Sequence, residues 1–181
     1  ISRAETGETP LMLAEPASHA LKDVKMKGKF QFTRTNTDLV QLHGAVELPA
    51  GFDLSKEHEL AIGIGNVIDS VMVDAKGRPR SKGVLGRIKN VRVKYPRLKD
   101  TTLTSVGQTA TIDLQLSTPD MDALGFDTEG IRPDVKDLTS QHDVQVMLVL
   151  GGVSYGTVAP VQLKLSKKRD TGVMLTKYIV Y

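Results

Sequence analysis

His58-Glu59-Leu60-Ala61-Ile62-Gly63-Ile64-Gly65-Asn66-Val67-Ile68-Asp69-Ser70-Val71-Met72-Val73 is the stretch that decides the fold. Two runs rich in β-branched and apolar residues flank Gly65-Asn66, a dipeptide suited to a tight hairpin turn. Neither run has the 3.6-residue spacing of a helix face, and each has the length of a strand.

The same grammar extends in both directions. Upstream, Met26, Gly28, Phe30 and Phe32 alternate with Lys and Gln, a period of two, and the turn-like Thr35-Asn36-Thr37-Asp38 leads into Leu39–Leu48. Downstream, Ala75-Lys76-Gly77-Arg78-Pro79 is a further turn signal, followed by β-type runs near 84–95, 109–116, 143–150, 153–165 and 173–181. About ten short runs separated by Gly, Pro, Asn and Asp read as an all-β sandwich or barrel-like domain. One short helix is expected where Thr118 can cap, Pro119 can open and Gly125 can end a turn. A change of face or a bulge is expected near Asn90, because Val91 and Val93 break the alternation set by Arg87 and Lys89.

The chain also resembles itself. His58-Glu59-Leu60-Ala61-Ile62 leads to Gly65-Asn66-Val67, and His142-Asp143-Val144-Gln145-Val146 leads to Gly151-Gly152-Val153. Gly51-Phe52-Asp53 precedes the first, Gly125-Phe126-Asp127 the second, and each follows an alternating strand that ends near a proline. The expectation is a strand, strand, loop, hairpin unit used twice, roughly 24–83 and 84–165, with insertions in the second copy and a further strand at the C-terminus. Residues 1–23, with one compact apolar patch at Leu11-Met12-Leu13, read as an arm or linker ahead of the β domain of 24–181.

The run Leu48-Pro49-Ala50-Gly51-Phe52-Asp53-Leu54, followed by Glu59–Val67 and a strand ending Asp74-Ala75-Lys76-Gly77, resembles uncharacterised secreted bacterial β-domain proteins. In these, a Leu-Pro-x-Gly-Phe-Asp loop joins strand pairs. The resemblance covers roughly 24–165, implies an exported β domain, and transfers no functional residues.

Composition removes several functions. There is no Cys and no Trp, and only four Tyr and four Phe. Disulfides, thiolate metal sites and thiol chemistry are excluded, and aromatic platforms for sugars or bases are disfavoured. No apolar run approaches the ~18 residues that span a bilayer as a helix. The chain starts at Ile1 rather than Met, which is read as a processed or trimmed end and as support for an extracytoplasmic setting.

Net charge is only +3, yet it is segregated. Between residues 76 and 99 lie ten bases (Lys76, Arg78, Arg80, Lys82, Arg87, Lys89, Arg92, Lys94, Arg97 and Lys99) and no acid. From 101 to 160 there are eight acids against Arg132 and Lys136. The basic run reads as a solvated edge, as an anion-binding surface, or as a contact with the acidic region of another copy.

Catalytic patterns fail on named residues or on their setting. Ser154 in Gly152-Val153-Ser154-Tyr155-Gly156 fits Gly-x-Ser-x-Gly in letters but reads most simply as a hairpin residue among β-type runs, and Gly63-Ile64-Gly65 is not followed by a helix. Asp120, Asp122 and Gly125 fit an EF-hand loop, but Leu124 and Ile131 occupy ligand positions, leaving Asp120, Asp122 and Asp127 as the weak calcium candidates. His19, His43, His58 and His142 form no close-spaced metal pair, and His58 and His142 read as matching strand entries.

The leading expectation is a non-catalytic, extracytoplasmic structural or assembly subunit without cofactor, contacting other copies or a larger complex through end strands and opposite charges. The alternative is a binding module for acidic polysaccharide or another anionic surface through 76–99. Nucleic acid is the weakest partner, for want of a groove-reading helix and of aromatics.

Overall fold

The computed structural model describes residues 19–31, 38–98, 108–118, 138–166 and 171–176. These hold ten strands and no helix: β1 (His19–Ala20), β2 (Lys22–Gln31), β3 (Asp38–Leu48), β4 (His58–Ile64), β5 (Val67–Val73), β6 (Ile88–Lys94), β7 (Gln108–Thr118), β8 (Leu138–Leu150), β9 (Val153–Ser166) and β10 (Thr171–Thr176). They form one nearly closed, barrel-like sheet in the order β5-β4-β8-β9-β10-β2-β3-β7-β6, with β1 added in parallel to β9. The all-β, sandwich-or-barrel expectation is met as a single curved sheet.

The alternation read from the sequence is the alternation of burial. Met26, Gly28 and Phe30 of β2 face inward while Lys25, Lys27 and Lys29 face out. Opposite them, Leu60, Ile62 and Ile64 of β4 and Val144, Val146 and Leu148 of β8 belong to the same core. With few aromatics, one large side chain ties two walls together: Tyr155 of β9 is fully buried and its hydroxyl donates to the Glu47 carbonyl on β3 at 2.8 Å. Burial, and then the nearby Glu47 charge, push its hydroxyl pKa up to about 12.

The Gly65-Asn66 turn joins β4 to β5 in register, Ile64 against Val67. The expected irregularity near Asn90 is a register shift between Ile88 and Asn90 in the β6–β7 ladder. Thr118 ends β7, and the residues expected to form the helix after it lie outside the described ones. Two boundaries move. β8 begins at Leu138, so His142 sits inside a long strand, whereas His58 does open β4. The expected arm boundary at 23 falls within β2, and His19–Ala20 pairs with Tyr155–Gly156; residues 1–18 lie outside the described part.

The two ends of the strand order, β5 and β6, are joined by the connection between them. The strap of residues 74–87 runs along the outer edge of β5: Arg80 N–H donates to Met72 C=O at 2.9 Å and Val84 N–H to Ser70 C=O at 2.8 Å. On its other side, Val93 N–H of β6 donates to Gly77 C=O at 2.9 Å. Gly77 has φ +70°, and a Cβ there would lie 1.8 Å from the Val93 carbonyl oxygen, so no other residue fits this crossing.

At the centre of the closure is Asp69 of β5, 1% exposed. Its Oδ1 accepts from Ser70 N–H (2.8 Å) and Leu85 N–H (2.7 Å). Its Oδ2 accepts from Arg87 N–H (2.7 Å) and Ile88 N–H (2.8 Å). Gly83 packs so closely that an added Cβ would stand 2.1 Å from Oδ2. Four backbone donors, that of Ile88 buried and those of Ser70, Leu85 and Arg87 part-buried, are thereby satisfied by one side chain. Replacing Asp69 by Ala should lower the unfolding free energy by roughly 3 kcal/mol or more, since three strap or β6 N–H groups lose a charged acceptor. Urea unfolding checks this, and a loss below about 1 kcal/mol would show that the carboxylate does not hold the closure.

Candidate functional site

The outer face of β10, β2, β3, β7 and β6 forms a trough of about 790 Å³. Its floor is a grid fixed by strand register. One row runs Lys25, His43, Asp113, Arg92 across β2, β3, β7 and β6, and the next runs Lys27, Gln41, Gln115, Asn90. Lys94 and Thr176 complete the lining, with Leu175 at the β10 margin. Lys25, Lys27, Gln41, His43, Arg92, Asp113 and Gln115 face outward because their neighbours along the strand are core residues or pack against the core.

The trough's electrostatics are one-sided. Among the described residues that line it, Lys25, Lys27, Arg92 and Lys94 stand with one carboxylate, Asp113. That carboxylate is already engaged: His43 Nδ1–H donates to its Oδ1 at 2.6 Å, and Lys94 Nζ lies 2.9 Å from its Oδ2. The hydrogen bonds from His43 and then Lys94 hold the Asp113 carboxyl below the usual carboxylate range.

A second hollow of about 680 Å³ lies on the other side of β6, between that strand and the strap. Lys76, Arg78, Arg92, Lys94 and Arg97 line it, with Leu54, Tyr95 and Leu98. Arg92 and Lys94 therefore stand on a ridge that serves both hollows. Tyr95 is half-buried beneath it, its ring 6.0 Å from that of Phe52. Its hydroxyl is shut off from solvent with no hydrogen-bond partner among the described residues. Burial, and then the Asp74 charge, push its pKa up to about 12.

The basic segment expected from the sequence is thus divided. Lys76, Arg78, Arg92, Lys94 and Arg97 gather at the two hollows. Arg80 turns away to Glu57, with which it forms an ion pair, and Nζ of Lys89 donates to the Gly86 carbonyl at 3.1 Å. Lys82 is exposed on the strap and Arg87 is half-buried, its carbonyl accepting from Ser117 N–H at 2.8 Å. Lys99 lies outside the described residues, as do Asp120, Asp122 and Asp127. Among the described residues no three His, Asp or Glu side chains converge on a point that could hold a metal ion, and no helix is long and apolar enough to cross a membrane. His58 serves the Phe52 loop: its ring stacks on Phe52 at 4.2 Å and its Nε2–H donates to the Asp53 carbonyl at 2.6 Å.

Sequence reading missed the β2 lysines and His43 as partners of β6. Their signal was present in the Lys-Met-Lys-Gly-Lys alternation of 25–29, but nothing in the linear order says that β2 and β6 flank the same pair of strands. Compared with known proteins, the chain matches no family model, no curated protein and no solved structure.

The Asp113 shift has a defined consequence. A carboxyl whose folded-state pKa is depressed adds stability above its unfolded pKa, near 3.8, and loses it as pH falls through the folded value. Asp113→Asn should therefore cost stability at pH 7, by less than about 1 kcal/mol because the pair is part-exposed and screened. The difference from the parent protein should shrink as thermal melts are taken below pH 3.8 and vanish once pH is below the depressed folded-state value. A difference that grows in acid would contradict the assigned hydrogen bonds.

Proposed function

We propose that this domain is a non-catalytic binding module for acidic polysaccharide or a comparable anionic surface. The observation that carries the reading is the trough across β2, β3, β7 and β6, where four cations face one carboxylate that is already bonded. Cations lining a concave surface concentrate field and raise the local concentration of an anionic ligand. The adjoining hollow extends the positive potential through Lys76, Arg78 and Arg97. The titratable pair in the trough, His43 and Asp113, is tied to itself and to Lys94, which supports a positioning role rather than proton transfer.

Assembly through end-strand pairing, the other expectation, has less support. As acceptors of a neighbour's arm or terminal strand, the sheet-edge strands β5 and β6 offer little, because the strap already bonds to Ser70, Met72 and Val93. The acidic segment expected to meet the basic one lies largely outside the described residues.

The test is retention on a sulfated or carboxylated polysaccharide resin over a salt series. The parent protein should elute later than a Lys25→Ala/Lys27→Ala/Arg92→Ala/Lys94→Ala variant, and its retention should fall steeply with salt. Equal elution of the two proteins would remove the trough as the binding surface.

A further inference from the structure

The strand order has an internal symmetry that bears on what the trough can hold. β4 and β8 lie side by side and antiparallel, each the first strand of a hairpin, β4–β5 and β8–β9. β3 and β7 likewise lie side by side, each the second strand of a pair, β2–β3 and β6–β7. Exchanging β2–β5 with β6–β9 maps each group of four onto itself in reverse. The two remaining junctions then correspond: β10 fills the place between β9 and β2, and the strap bridges β5 and β6. This is the arrangement expected if the two sequence units pack about an internal two-fold axis.

The trough straddles that axis. Along the row Lys25, His43, Asp113, Arg92, the outer positions come from β2 of the first unit and β6 of the second. Each outer strand presents two outward cations two residues apart, Lys25 and Lys27 on one side, Arg92 and Lys94 on the other. With strands about 4.8 Å apart, three strand steps separate the two flanks by about 14 Å, and cations on one flank are about 7 Å apart. The floor between the flanks carries the bonded His43–Asp113 pair in one row and, in the next, the amides Gln41 and Gln115, which continue to Asn90 on β6. Primary amides offer both donors and acceptors, which match hydroxyl groups rather than further charges. Among the described residues no Phe, Tyr or Trp lines the trough, so none of them offers a platform for stacking on bases.

Building on the anion-binding reading, we infer that the trough is a bipartite site for a linear acidic polysaccharide laid across the strands. Its charged groups sit at the two flanks, and its hydroxyls lie over the Gln41–Gln115–Asn90 row. The two flanks act as paired half-sites, so affinity depends on a ligand long enough to engage both at once.

Titration calorimetry with size-fractionated oligogalacturonides at low salt tests this, using the parent protein and two variants, Lys25→Ala/Lys27→Ala and Arg92→Ala/Lys94→Ala. For the parent, affinity should rise at least tenfold between the disaccharide and the octasaccharide and then level off. Each double variant should lose most of that rise, by factors within about threefold of each other, while circular dichroism melts confirm that both stay folded. Inorganic sulfate should compete weakly, and an oligo-dT ten-mer should bind more weakly than the octasaccharide. Length-independent affinity, loss from only one variant, or tighter binding of the ten-mer overturns the bipartite glycan site while leaving anion binding standing. Absence of salt-sensitive binding to any of these polyanions overturns the anion-binding reading itself.

Discussion

A single buried carboxylate holds the ends of this sheet together. An open sheet of this size leaves two edges, each a row of unpaired N–H and C=O groups that water must satisfy or another chain will claim. Here the strap between β5 and β6 covers both, but a strap crossing a closed barrel brings its own N–H groups out of water. Asp69 resolves this by accepting from four of them, on Ser70, Leu85, Arg87 and Ile88. Among the described residues no side-chain cation bonds to it: the balancing partial charge comes from backbone N–H dipoles converging on one anion, as in other backbone anion-binding concavities. A charge left without such partners at 1% exposure would cost several kcal/mol, so the carboxylate and the strap must form together.

The charged surface follows from that closure. Because Ile88 N–H is fixed to Asp69, β6 begins beside β5, and the bulge between Ile88 and Asn90 resets its register. Val91 and Val93 then point into the core while Arg92 and Lys94 point outward. The Gly77 crossing presses the 74–78 turn against Val93, which brings Lys76 and Arg78 to the hollow beside Arg92 and Lys94. The cations of β2 reach the same surface by the opposite route, through the β2–β3 and β3–β7 ladders. Local turn chemistry and long-range pairing thus both feed one patch.

Period-two patterning, the Gly65-Asn66 turn, the Ala75–Arg78 turn and the break near Asn90 are local properties, and each is legible in the sequence. Pairing of β3 with β7 and of β4 with β8 is not, because register across distant strands depends on which faces meet in the folded chain. The basic run was visible as composition, but its division was not. Whether Arg80 joins the patch depends on Glu57, which is distant in sequence and adjacent in space. Asp69 could have been noticed: it occupies the same alternate positions as Val67, Val71 and Val73, the face that goes inward. An acid on the core face of a strand needs donors, and those donors are in the Gly-rich strap just downstream.

The central claim is that the Asp69 carboxylate holds the strap as part of the folded barrel rather than as a surface loop. Native-state hydrogen exchange on the Leu85, Arg87 and Ile88 amides tests it directly, with the amides of exposed Ser81 and Lys82 on the same strap as internal comparison. The account predicts that the three Asp69-bound amides exchange as slowly as core-strand amides such as those of Ile62 and Leu148, while Ser81 and Lys82 exchange orders of magnitude faster. Exchange of all five at the same fast rate would contradict it.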